Sequence, residues 1–327
     1  MTRVYITIDT EYSSGLVTGL GPADRAENYA RSIACLTPDG PAGITHKLNM
    51  LNESGQKAVF FVDPMPALVW GVAAIEDVVA PILDAGQDVQ LHCHTEWLEI
   101  AGRANPLESG RTGRNIADFP FEEQCELLAL ARNFLVAAGA PPPVAFRAGN
   151  YGANDDTLQA LAAIGLRYDT SHCPAVPEGA SQISLGPDDR DPMLYQGMIE
   201  VPVGTIGTLG GGQRHAQITA LTLAEMQAAI RHARDNDRLA FTLVSHSFEL
   251  INRRKLAVNK IVRSRFDGLC KSLRDMPGVE TANYRDNPPL FGGTPGPGTS
   301  EPLPASAFRT GMRYAEQFVS NTLYGAL

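Results

Sequence analysis

Eight short runs of β-branched, aromatic and aliphatic residues recur along this chain, and stretches with helical periodicity separate most of them. They are residues 4–8 (VYITI), 57–62 (KAVFFV), 88–93, 143–146, 166–168, 198–203 (MIEVPV), 239–245 (LAFTLVS) and 279–282. Helical patterns fill 44–53, 66–85, 121–138, 154–164, 222–236 and 251–275. Strand and helix in alternation are the pattern of a parallel sheet or a β/α barrel, because parallel neighbours need a crossover between them. At 327 residues and 44% hydrophobic content the chain has enough apolar material for one large core.

The ends of those runs carry the chemistry. Asp9 and Glu11 close the first, His92 and His94 the third, Arg147 the fourth, Asp169 the fifth and His246 the seventh. In a β/α barrel the C-terminal ends of the strands form the rim on which active sites are built. Surface polarity alone does not account for three carboxylates, three histidines and an arginine all landing there. His92 and His94 stand two apart on a strand, so both imidazoles point to one face. Such a pair either holds a divalent metal or is a buried pair bonded to carbonyls.

The order TIDTE, KAVFFVDP, LHCH, FRAGNYG, YDTS and LVSH resembles the polysaccharide deacetylase family (NodB homology, carbohydrate esterase family 4) over roughly residues 3–250. The resemblance implies a single catalytic domain, a distorted (β/α)7-type barrel, holding Zn2+ (or Co2+ or Ni2+) and removing acetyl groups from glycans. It implies Asp9 as catalytic base, Arg147 orienting it, and His246 as acid. It implies Glu11, His92 and His94 as metal ligands, Glu11 matching the form of the first motif whose ligand lies two after the base. The second motif ordinarily spaces its histidines four apart, whereas position 96 here is Glu96, a lesser candidate ligand. The third ordinarily reads Arg-x-Pro-Tyr, whereas Gly149 and Asn150 stand at Pro-Tyr and Tyr151 follows one place late.

Substrate contacts are expected from Asn150, Tyr151, Trp97 and Asp169. Trp97 either stacks on a sugar ring or fills core, and Asp169 either supports a catalytic group or caps a turn. Residues 100–119 are polar and rich in Gly and Arg, a lid or a disordered loop. Arg103, Arg111 and Arg114 within it could meet an anionic substrate. The Gly-rich stretch 207–213 lacks the Lys-Ser/Thr of a phosphate loop and reads as flexible.

The domain is expected over residues 1–286. A Gly/Pro-rich linker and a helical extension, 287–327, follow it and offer a route to a homo-oligomer. A net charge of −9 argues against a nucleic-acid partner. Five scattered cysteines without CxxC spacing, no signal-peptide core and no long apolar run read as a cytoplasmic protein with no membrane span. The expected partner is a small-molecule or glycan substrate. Hydrolysis of a small non-sugar amide, as in the allantoinase-like branch, and a catalytically inactive barrel that binds a glycan or partner are the competing functions.

Overall fold

The structure is a computed structural model that describes residues 1–176, 181–291 and 300–325. Nine strands form the main sheet: β1 Thr2–Thr10, β2 Val59–Val62, β3 Asp88–Cys93, β4 Ala145–Ala148, β5 Tyr168–Asp169, β6 Met193–Tyr195, β7 Met198–Glu200, β8 Ala240–His246 and β9 Val279–Thr281. In space they run β8-β1-β2-β3-β4-β5-β7-β6, with β9 beside the start of β1. Every pair is parallel except β6 with β7. All eight expected strands are present, and β6 is an addition that the sequence did not signal.

The sheet curls toward closure. Gly204, just past β7, donates its amide to Thr242 of β8, and Ala216 and Ile218 bond to Val244. The result is a curled half-barrel in one domain, the distorted (β/α) architecture anticipated above. Gly204 is required at that seam, since a Cβ there would lie 2.7 Å from the Thr242 carbonyl oxygen.

Helices α1 Pro22–Ser32, α2 Ile44–Glu53, α3 Ala67–Trp70, α4 Ala73–Asp84, α5 Trp97–Ala101, α6 Phe121–Ala137, α7 Asp155–Ala163, α8 Leu223–Asp235 and α9 Lys260–Arg274 accompany the sheet. Their apolar stripes and one face of the strands form the main core, including Ile6, Ile8, Phe60, Leu91, Leu128, Leu161, Ile230 and Phe266. Asn154 caps α7 and Thr222 forms the capping box of α8 with Glu225.

Four local expectations change. The connection after β1 contains α1, begun by Pro22 at its first turn. Residues 251–275 are not one helix: Ile251–Asn252 and Ala257–Val258 pair as a hairpin, and Asn259 caps α9 after it. The stretch 207–213 joins two short antiparallel strands, Thr205–Gly207 and Gln213–His215. Residues 100–119 are an ordered crossing, anchored by buried Leu107, Ile116 and Phe119. Of the Gly/Pro-rich linker, residues 292–299 lie outside the described residues. The extension is a helix, α10 Ala307–Tyr324, which docks on the domain through Arg313 to Glu225, Glu316 to Arg265 and Ser320 to Asn259. No helix among the described residues is long and apolar enough to cross a membrane.

Candidate active site

Strand register brings the rim residues together. Asp9 lies opposite His246 across β1 and β8, and His92 lies opposite Arg147 across β3 and β4. Glu11 follows Asp9 with the same sense and meets both histidines. Its Oε2 is 2.6 Å from His94 Nε2 and 3.3 Å from His92 Nε2. Among the described residues these three form one group of potential metal ligands, with donor atoms within 4.8 Å of one another.

The surrounding bonds set the donor atoms of this group toward one another. His92 Nδ1 donates to the Arg147 carbonyl at 2.7 Å, and His94 Nδ1 donates to Glu96 Oε2 at 2.9 Å. With both Nδ1 protons committed to acceptors, each neutral ring turns a lone pair at Nε2 toward Glu11. Glu11 Oε2 is buried and has no hydrogen-bond partner. Three acceptor atoms facing one another repel unless positive charge sits among them. Ligands at about 2.0–2.2 Å from a divalent ion, two imidazoles and a carboxylate with positions left open, suit this geometry. The residues therefore fit a metal. Burial opposes charge on both groups, yet with no cation between them Glu11 raises His94 well above the imidazole range, and the charged ring holds the Glu11 carboxyl well below its own.

Glu96 is not a ligand here, since it orients the His94 ring and also accepts from Asn150 Nδ2 at 3.2 Å. Gly149 passes directly beneath that ring, and a Cβ would fall 2.7 Å from His94 Nδ1. This accounts for a glycine where a proline is customary. Asn150 and Tyr151 both adopt φ 56°, a turn that lifts Asn150 into solvent at the rim. Tyr151 packs beside Cys173, Val203 and Val244.

Asp9 is held from two sides. Arg147 Nη1 donates to its Oδ1 at 2.8 Å, and His246 Nε2 stands 3.8 Å from its Oδ2. Arg147 is itself buried, with Nη1 also on Thr7 Oγ1 at 2.7 Å and Nε on the Thr170 carbonyl. Burial would lower the guanidinium, and the Asp9 carboxylate beside it more than restores it.

His246 has a partner that sequence reasoning missed. Glu249 Oε1 accepts from His246 Nδ1 at 2.9 Å, while Gln217 Nε2 and Ser245 Oγ also bond to this carboxylate. Burial opposes charge on the imidazole, but the bond to Glu249 together with the negative charge of Glu249, Asp9 and Glu11 outweighs it and pushes His246 up to about 9. Buried Lys47 bonds to Ser245 Oγ and the His246 carbonyl. Spacing of three from His246 to Glu249 is the sequence signal that could have found this pair. Asp63, read as a strand stop, is buried beside the cluster, where it accepts from the His94 amide at 3.3 Å and leaves Oδ2 unpartnered.

Two expected substrate contacts are corrected. Trp97 is fully buried, edge-on to Trp70 at 5.3 Å between ring centres, so no sugar reaches it. Asp169 is fully buried too; it accepts from the Ser171 amide and hydroxyl at 2.8 Å and stands in register with Glu200. Burial and the Asp169 charge raise Glu200 well above the carboxylate range, and its Oε1 accepts from the His172 amide at 3.1 Å. Arg111 of the crossing loop pairs with Glu123.

Comparison of the chain with known proteins finds no matching family model and no matching curated relative. Solved structures do match. A putative polysaccharide deacetylase from Mycobacterium smegmatis is 17% identical, with a TM-score of 0.53 over 86% of this chain and 87% of that one. The chain has the polysaccharide-deacetylase fold. A family 4 carbohydrate esterase from Streptomyces lividans, solved with acetate, is 12% identical with a TM-score of 0.44, covering 90% of this chain and 98% of the other. A family 4 pseudoenzyme from Bacillus anthracis is 11% identical, with a TM-score of 0.39 over 84% of this chain and 61% of that one.

Proposed function

We propose that this protein is a metal-dependent hydrolase of a carbon–nitrogen amide bond and that it deacetylates an N-acetylated sugar or sugar conjugate. One observation carries the reading. A carboxylate fixed by arginine (Asp9) and an imidazole fixed by a carboxylate (His246) sit beside the Glu11, His92 and His94 cluster. A divalent ion held by those three residues, Zn2+ first with Co2+ or Ni2+ as alternatives, would supply Lewis acidity toward the acyl carbonyl and lower the pKa of water.

The chain supplies the proton transfers. Asp9, held in place by Arg147, accepts a proton at Oδ2 from the attacking water. The hydroxyl oxygen bonds to the acyl carbon, the carbon–nitrogen bond breaks, and His246 gives its Nε2 proton to the departing nitrogen. Glu249 keeps the Nδ1 proton in place, so the proton leaves from Nε2. Acetate and a free amine result. Asn150, at the solvent edge of the metal cluster, is the residue proposed to meet substrate on that side, with Tyr151 behind it.

The test is a panel of N-acetylated mono- and disaccharides and small cyclic amides, run with zinc-loaded wild type and Asp9→Asn. Release of acetate from a sugar, lost in Asp9→Asn, supports the reading. Turnover of cyclic amides alone, or of nothing, contradicts it.

A further inference from the structure

A cavity of about 630 Å3 is lined in part by His246 and Glu249 and by none of Glu11, His92 and His94. That is the size of a small-ligand pocket. Three arginines line it, Arg31 from α1 and Arg253 and Arg254 from the hairpin that precedes α9. The one carboxylate among its lining residues is Glu249, already bonded to His246 and Gln217. Neither Arg253 nor Arg254 makes an ion pair among the described residues. Arg31 Nε is buried without a hydrogen-bond partner, and its Nη1 meets only Glu27, which is largely exposed. The Phe248 ring contacts both groups, with the Arg253 guanidinium 4.1 Å from the ring centre and the His246 ring centre at 5.2 Å. A three-arginine cavity in a chain of net charge −9 is a local reversal of the overall field.

We propose that this cavity receives an anionic group, a carboxylate or a phosphate, carried by the amine half of the substrate. The proposal rests on His246 as the residue that protonates the leaving nitrogen. The amine half must then pass His246, and the next groups it meets are the guanidinium forks, which match planar carboxylates and phosphate oxygens.

Binding of amine products tests this without turnover. The probes are glucosamine, glucosamine 6-phosphate and muramic acid, measured by calorimetry against zinc-loaded wild type, Arg253→Ala, Arg254→Ala and Arg31→Ala. The expected result is binding of one anionic probe at least about tenfold tighter than glucosamine, weakened by salt and reduced about tenfold in Arg253→Ala. Whichever anionic probe leads identifies the group. Equal affinity for all three probes, or an anion preference untouched in all three variants, overturns the proposal. An arginine-dependent preference in a protein that hydrolyses no amide would uphold the anion site and refute the hydrolase. Melting curves confirm that each variant is folded, and Arg254→Ala at an exposed position is the variant least coupled to folding.

A second inference comes from α10, whose amphipathicity is inverted. Its inward face carries Thr310, Arg313 and Ser320, while Phe308 is 77% exposed, Phe318 73%, Tyr314 64% and Leu323 61%. Phe308, Met312, Ala315, Val319 and Leu323 follow helical spacing along the outward face. We infer that a second copy of the chain covers it. Aromatic side chains present about 150–250 Å2 each, so the exposed parts of this face amount to roughly 700 Å2, close to the ~800 Å2 per partner of a stable interface. The spacing is also self-complementary. An antiparallel pair with its axis between Ala315 and Glu316 sets Phe308 against Leu323 and Met312 against Val319, as a two-fold axis requires. Sedimentation velocity from about 1 to 100 μM is expected to show a dimer in wild type and a folded monomer in Phe308→Glu/Phe318→Glu. A monomeric wild type throughout, or a dimer unchanged by the substitutions, overturns it.

Discussion

Replacing Glu249 by Gln isolates the contribution of one carboxylate to the proposed acid. The change keeps size and leaves Gln217 and Ser245 in place, but removes the charge beside His246 Nδ1. Burial alone would depress the imidazole below its ordinary value of about 6.5, and the hydrogen bond to Glu249 is the largest influence lifting it to about 9. The variant should therefore titrate at or below about 6.5. At pH 8 a group at about 9 is roughly nine-tenths protonated and one at about 6.5 roughly 3%. The alkaline limb of kcat/KM should move down by about two units, with a loss of roughly thirtyfold at pH 8 and little at pH 6. Imidazole NMR titration follows the same shift without substrate. The stability sign is fixed as well. A folded value above the unfolded one contributes stability that is complete below about 6.5 and lost as pH rises through about 9. Wild type should thus lose melting temperature between pH 7 and 10, and Glu249→Gln should lose less. An alkaline limb or an NMR titration of His246 that moves by less than about half a unit refutes the argument.

Asp9→Asn should retain metal and lose about 10²–10⁴-fold in turnover, read by acetate release beside elemental analysis. Trp97→Ala should cost about 3–5 kcal/mol in denaturant unfolding, because it empties a buried site against Trp70, whereas a sugar-stacking role would raise KM in a protein of normal stability. Glu200→Gln should melt no lower than wild type at pH 8, since folding raises the Glu200 carboxyl and that mismatch weakens the fold as pH climbs above the unfolded carboxylate value of about 4.3. A lower melting temperature at pH 8 than wild type would count against a raised Glu200 carboxyl. Gly149→Ala should weaken metal retention, measured by dialysis against a chelator, because its Cβ would strike the His94 ring.

Strand patterning and rim chemistry were legible in the sequence because both follow local rules. Buried parallel strands need unbroken apolar runs, and the polar residue at each end, from Asp9 to His246, falls where the strand stops. The hairpin 251–258 was illegible because Ile251, Val258, Val262 and Phe266 fall at spacings a helix also satisfies, and only Asn259 marks where the helix begins. Glu249 was hidden for a related reason: the turn that folds it back onto His246 is tied down by Ser245 within it and by Lys47 from elsewhere in the chain. Trp97 and Asp169 had the right neighbours in sequence and the wrong direction in space. The chain turns into α5 at Trp97, pointing it at Trp70, and Asp169 points down the barrel to Ser171 and Glu200. Position along a strand end is readable from sequence, but whether a side chain faces solvent depends on which turn follows.

The most direct test of the metal centre is elemental analysis of the purified protein, wild type beside His92→Ala/His94→Ala, after supply of Zn2+, Co2+ or Ni2+ and removal of loosely held ions. About one equivalent per chain in wild type, absent from a folded double variant, is the expected result. Equal metal in both proteins, or none in either, would contradict a metal centre built on Glu11, His92 and His94.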